Sequence, residues 1–283
     1  NQIKENAQID NVKIPVIEYS GPSENLPEIF TRLNTQGTQL NKYQIFAAMW
    51  DDTKIKILNE DIISKIQGKY LKIKEAGLAI GTDEEEETII TKFNVFEYLF
   101  GLGKYLTSDK YEKYKILFKT ESDTNQIEEP ETFIFVLSSA ILFSEDVDYS
   151  KKMENLDKEI KKVNQADFEK AILDSIDETY KILEPILNFP FNINKNKSSN
   201  NISTPFSEIQ IITIVAYLIK EKYDKKFKPR NDFDKKKYKE VKDNILLYYL
   251  YDVLNGYWES STDTQMTNTI TEKRFHTKIE KEL

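Results

Sequence analysis

The sequence contains no cysteine and only one histidine, His276. Without thiols there is no disulfide and no thiolate metal site. One imidazole cannot build a Cys/His zinc centre, so any metal would have to be a hard cation held by carboxylates. Long apolar runs are also lacking: nothing approaches the roughly 18 residues that would cross a bilayer. The stretch from Asn1 to Asn11 is polar and mixed in charge, without the apolar centre of a secretory leader. A cytoplasmic chain without a membrane partner is expected. No pair of acidic residues stands out on a buried helix, so no hydrolytic metal centre is legible, and no catalytic or metal-binding residue is assigned. Nor is there an overall excess of basic charge: the formal net charge of −8 argues against a surface coated for non-specific nucleic-acid binding.

What the sequence does contain is enough apolar material for a core. In 283 residues, 39% are hydrophobic and 12% aromatic, which suffices for one extended helical domain or two smaller ones. Val12 to Tyr19 is β-branched, carries Pro15 and is closed by Ser20-Gly21-Pro22, which reads as one edge strand or strand end. A single strand cannot make a sheet, and no later segment alternates convincingly, so its partners are expected upstream of Asn1.

From Glu24 onward the periodicity is helical. Leu26, Ile29, Phe30 and Leu33 share one face of a short helix ending before Gly37. Asn41 with Gln44 forms a capping-box pattern ahead of Tyr43, Ile45, Phe46 and Met49. Asn59 precedes Ile62, Ile63, Ile66 and Tyr70, and Asn94 with Glu97 precedes Leu99, Leu102 and Leu106. Pro130, at a first-turn position, is expected to open a helix through Phe143 that is apolar almost all round and therefore central. Asp167 to Leu187 is amphipathic up to Pro185, which should kink or end it. Asn192 to Thr204 has linker composition and is expected to be a mobile loop. Ser207 then offers a cap for the apolar Ile209 to Ile219, and a last long helix runs from about Phe233 to Leu254, stopped by Gly256. The fold class expected is mainly α, a multi-helix domain with one residual N-terminal β-strand.

Charge is unevenly distributed. Residues 220 to 242 hold eleven lysines and arginines against five acids. Lys225, Lys226, Lys228, Arg230, Lys235, Lys236 and Lys237 are candidates for contact with a DNA backbone. Lysine offers point charges for phosphates in place of the fork that reads guanine, so such a segment positions nucleic acid without reading it. A solvated lysine-rich face is the competing explanation. Two further features read as structural: the acidic run Asp83 to Glu87 as a solvated loop or helix start, and His276 as a surface or packing residue.

The run Ile29-Phe30-Thr31-Arg32-Leu33-Asn34-Thr35-Gln36-Gly37-Thr38-Gln39-Leu40 resembles the second signature of the family known as domain of unknown function 262, which includes modification-dependent restriction proteins of the GmrSD type. Phe30, Arg32, Leu33, Asn34, Gly37 and Leu40 match that pattern, and Asn41 stands where the family often has a serine cap. A weaker likeness lies at Leu254 to Asp263, where Trp258 precedes a Ser/Gly/Asp-type turn. Members of the family usually begin with a ParB/sulfiredoxin-like domain whose Asp-Gly-Gln-Gln-Arg motif is linked to nucleotide hydrolysis or nuclease action. Many also end in a His-Asn-His nuclease domain. Neither motif occurs in this sequence, and one histidine could not supply the second.

The resemblance implies that residues 1–50 are the tail end of the ParB/sulfiredoxin-like domain and that residues 51–283 form an α-helical domain. It also implies, as partners, an N-terminal domain of the same protein and DNA. This chain alone would then carry no complete catalytic site, and no cofactor can be named. Arg32, Asn34, Thr35 and Gly37 would form one edge of a phosphate or nucleotide site. The alternative is that Asn34 and Gly37 merely build the turn between two helices. A helical module that binds a protein partner and never touches DNA is the rival function.

Overall fold

In a computed structural model of the chain, the residues described are 42–50, 53–75, 93–118, 129–143, 153–187 and 207–279, with Gly21 and Ile29 standing alone. The expected strand at Val12 to Tyr19, the helix from Leu26 to Leu33, the acidic run and the loop near 192–204 lie outside them. The chain divides into two units, Asn1–Ile45 and Phe46–Leu283. The architecture below is that of the second unit.

Helices account for 74% of the described residues, as a mainly α chain requires. In order they are α1 (Lys42–Met49), α2 (Glu60–Glu75), α3 (Val95–Leu106), α4 (Thr132–Phe143), α5 (Leu156–Ile160), α6 (Gln165–Leu187), α7 (Glu208–Lys222), α8 (Lys235–Leu254) and α9 (Thr262–Thr271). Short 3-10 segments lie at Asp109–Ile116, Met153–Asn155 and Arg274–His276. Two two-residue strands, β1 (Lys54–Ile55) and β2 (Phe93–Asn94), pair antiparallel, Lys54 opposite Asn94 and Ile55 opposite Phe93. They are too short to alternate visibly, which is why the sequence pattern does not betray them. Among the described residues no helix is long and apolar enough to cross a membrane.

Local chemistry starts and stops these helices. Asn59 Oδ1 accepts from the Asp61 N–H at 3.1 Å and opens α2. Asn94 and Glu97 form the reciprocal capping box of α3: the Glu97 N–H donates to Asn94 Oδ1 at 2.9 Å, and the Asn94 N–H donates to Glu97 Oε2 at 2.7 Å. The Tyr70 hydroxyl donates to the same Glu97 carboxylate, tying α2 to the start of α3. Gly101 allows these helices to close, because a Cβ there would stand 2.8 Å from side-chain carbons of both Ile62 and Ile66.

Two local expectations need correction. Pro130 is not in the first turn of α4, which begins at Thr132. Glu131 stands between them, its carboxylate buried against Lys104 at 2.9 Å, and this ion pair fixes the approach to the helix. Ser207 occupies the cap position of α7 but makes no side-chain capping bond. The last long helix does end at Leu254, and a shorter one, α9, follows the turn after Trp258, entered through Ser261 in the left-handed region at φ 51°.

The core runs through α3, α4, α6 and α7. On α4, Phe133, Ile134, Phe135 and Leu137 are fully buried, and the neighbouring Ser138 and Ser139 have no exposure either, as expected for a central helix. α7 is buried continuously from Gln210 to Ile219 and packs against α4, α6 and α9. Trp50 stacks on Phe46 with centroids 5.0 Å apart and donates its indole N–H to the Glu154 carbonyl at 3.2 Å. Pro185 lies inside α6, two residues before its end, so it is tolerated where few helical bonds remain to be broken.

Candidate nucleic-acid interface

The basic segment begins where α7 ends. Tyr223, the C-cap, is extended and pairs in an isolated antiparallel bridge with Pro229, so the chain reverses over five residues. The Asp224 N–H donates to the Lys228 carbonyl at 2.9 Å, and the Arg230 N–H donates to the Lys222 carbonyl at 2.9 Å. Inside the reversal, Asp224 Oδ1 accepts from the backbone N–H groups of Lys226 at 2.8 Å and Lys228 at 2.9 Å. Those bonds hold the Asp224 carboxyl below the usual carboxylate range.

Phe227 adopts the left-handed conformation, at φ 61°. An aromatic residue enters that region at a cost, which is offset here by burial: Phe227 is 5% exposed and meets the Phe168 ring of α6 edge-on at 5.0 Å. The hairpin is therefore wedged to the core at its centre, and Lys225 and Lys226 lie exposed beside the wedge.

The chain then crosses to α8. Asp234 caps that helix, accepting from the N–H groups of Lys236 at 2.9 Å and Lys237 at 3.2 Å. The cap occupies two of the donors that would otherwise face an anion at the helix start, so attraction for phosphate rests on the lysine side chains. Lys235, Lys236, Lys237 and Lys239 are all exposed in the first two turns.

The candidate cations separate into two sets. Lys228 Nζ stands 2.6 Å from Asp167 on α6, and the Arg230 guanidinium forks onto Asp232 at 2.9 and 2.8 Å. The Arg230 fork pulls the Asp232 carboxyl down to about 2. Lys226, Lys235, Lys236, Lys237 and Lys239 make no side-chain ion pair among the described residues. Beneath them Lys222 and Lys242 are spent internally on Glu178, at 2.8 and 3.2 Å, where the Tyr238 hydroxyl also donates at 2.6 Å. Burial alone would raise the Glu178 carboxyl, but these three donors outweigh it and hold it below its ordinary value. This hub joins α6, α7 and α8, so the base of the basic edge is held by three helices.

No family model, curated protein or solved structure matches this chain. Arg32, Asn34, Thr35 and Gly37 lie outside the described residues, so only the basic edge of the expected site has a geometry. Among the described residues no three acidic or imidazole groups converge as a metal ion would need. An open groove of about 300 Å³ between α6 and α8 is lined by Glu178, Lys181, Ile182, Lys242, Asp243 and Leu246. Glu178, Lys181 and Lys242 in its wall are already paired. Sequence reasoning missed Asp224, Phe227 and Asp167, which shape and anchor the hairpin. Asp224 had a local signal, an acid two residues before a backbone N–H, whereas Phe227 and Asp167 act through partners distant in sequence.

Proposed function

We propose that this chain is the helical portion of a modification-dependent restriction or phage-defence protein, and that residues 222–239 lie along the phosphate backbone of its DNA. The observation that carries the DNA contact is the group of ammonium groups at Lys226, Lys235, Lys236, Lys237 and Lys239, which form no ion pair among the described residues and are mounted on a hairpin and a helix start that are themselves held to the core. Point charges on a firm base suit sequence-independent positioning. The restriction setting is supported by the Phe30 to Leu40 run, and in it Arg32, Asn34, Thr35 and Gly37 would border a nucleotide or phosphate site completed by an N-terminal domain that carries out the hydrolysis. A helical protein-binding module without DNA contact is the second reading, favoured by four large apolar side chains exposed on α8, Leu247, Leu250, Tyr251 and Leu254.

Binding of the full chain to plain and base-modified duplex across a salt series separates the two. Phosphate contact makes log K fall linearly with log salt, at about −0.9 per phosphate neutralised. Five neutralised phosphates would give a slope of about −4 to −5. Absent or salt-insensitive binding would remove the DNA reading.

A further inference from the structure

The solvent face of α8 changes character halfway along. Lys236, Glu240 and Asp243 are exposed on it, and the next residues at the same three- and four-residue intervals are Leu247, Leu250, Tyr251 and Leu254. These four large side chains are 54%, 38%, 47% and 84% exposed. The opposite face of the same turns is already used: Ile245, Tyr248 and Tyr249 are buried. The helix therefore carries a second apolar stripe that nothing among the described residues covers.

We propose that this stripe is the contact between two copies of the chain, paired through antiparallel α8 helices about a twofold axis between residues 250 and 251. The spacing of the stripe is its own mirror image, three residues, one residue, three residues. A twofold axis at its centre thus sets Leu247 against Leu254 of the partner copy and Leu250 against Tyr251, so every apolar side chain meets another. This self-complementarity is what an isologous interface requires. The exposures amount to something on the order of 400 Å² of apolar surface per copy, about half of the ~800 Å² per partner of a standard stable interface. The dimer is accordingly a weak, concentration-dependent one.

Resting on the DNA reading above, the pairing has a consequence for it. At roughly 1.5 Å of rise per residue, the two copies of Lys239 stand about 35 Å apart along the paired helices. One turn of B-form DNA is about 34–36 Å, so the dimer presents its two basic edges to backbone segments one turn apart.

Sedimentation of the full chain, without DNA, from about 5 to 500 μM tests the interface. Reversible dimerisation is expected, weakened at least about tenfold by Leu250→Glu with Leu254→Glu. Leu58→Glu with Leu71→Glu, at exposed leucines elsewhere, should change nothing. Thermal melting followed by circular dichroism confirms that the variants fold. The absence of native cysteine makes the register directly readable. Leu250→Cys should cross-link to itself through a short bis-maleimide, whereas Leu247→Cys should do so only when mixed with Leu254→Cys. A monomer at the highest concentration, a dimer indifferent to the glutamates, or self-linking of Leu247→Cys as efficient as the mixture overturns the proposal. Lys236→Ala with Lys239→Ala should weaken DNA binding while leaving sedimentation unchanged. A dimer that binds no DNA therefore removes the backbone reading alone, and a monomer that binds DNA removes the dimer alone.

Discussion

Arg274 grips Asp252 through both terminal guanidinium nitrogens, Nη1 to Oδ2 at 2.7 Å and Nη2 to Oδ1 at 2.6 Å, across 22 residues of sequence. Asp252 is 2% exposed and also accepts from the Trp258 indole N–H at 3.0 Å. The guanidinium also lies against the rings of Tyr248 at 4.5 Å and Tyr257 at 4.1 Å. One residue further, Phe275 packs edge-on against Tyr217 and Tyr248, and its carbonyl accepts from Asn244 Nδ2 at 2.9 Å. These interactions fasten the segment after α9 to α7 and α8.

Removing one member of this pair strands a buried charge. Arg274→Ala is expected to destabilise the chain by about 3–5 kcal/mol, and Arg274→Lys, which keeps the charge and loses the fork, should recover only part of that. Urea unfolding followed through tryptophan fluorescence measures both. Equal stability of the lysine variant and the natural chain would show that charge alone suffices.

Phe227 holds the basic hairpin through its ring. Phe227→Ala should cost about 3 kcal/mol, because the ring no longer packs on Phe168, and should expose the hairpin to trypsin at Lys225 and Lys226. Phe227→Gly relieves the left-handed backbone without restoring the ring. It is expected to be no less stable than the alanine variant and equally open to cleavage. Limited proteolysis with mass detection reads the hairpin, and thermal melting reads the global effect.

The α3 capping box predicts an unequal pair of substitutions. Asn94→Ala removes one cap acceptor and should cost about 1–2 kcal/mol. Glu97→Ala removes the acceptor of the Asn94 N–H and of the Tyr70 hydroxyl together, leaving two donors unpaired, so it should cost more. Chemical denaturation of the two variants decides the order.

The Glu178 hub makes stability depend on pH in a definite direction. Its carboxyl is held below the ordinary value in the folded chain by Lys222, Tyr238 and Lys242. The unfolded chain therefore takes up the proton first, and the stability from this group is fully present above about pH 4.3, the ordinary glutamate value. It is lost as pH falls from there through the folded value. Urea midpoints between about pH 3 and 7 should drop on the acid side, and Glu178→Gln should flatten that drop while lowering the midpoint at neutral pH. An acid limb unchanged in the glutamine variant would assign it to other carboxylates.

Lysine substitutions divide by their partners. Lys226→Ala, Lys236→Ala and Lys237→Ala together should reduce the salt slope of DNA binding by about 3, close to one unit for each phosphate no longer neutralised. Lys222→Ala should leave the slope unchanged and lower stability, because that ammonium is already committed to Glu178. Fluorescence anisotropy over a range of salt concentrations distinguishes the outcomes.

Helix content, the central place of Thr132 to Phe143 and Gln210 to Ile219, and the concentration of lysine after α7 all follow from the order of residues alone. Apolar periodicity, capping side chains and charge counts are local quantities that survive without coordinates. Which lysines are neutralised is not local: Lys228 meets Asp167 and Lys222 meets Glu178 only because α6 runs beside the end of α7. The left-handed turn at Phe227 depends in the same way on Phe168, and the roles of Trp258 and Arg274 depend on Asp252 presenting a buried carboxylate to both. The apolar stripe of α8 was in plain view as leucines, yet only packing decided which apolar face the core takes and which it leaves in water.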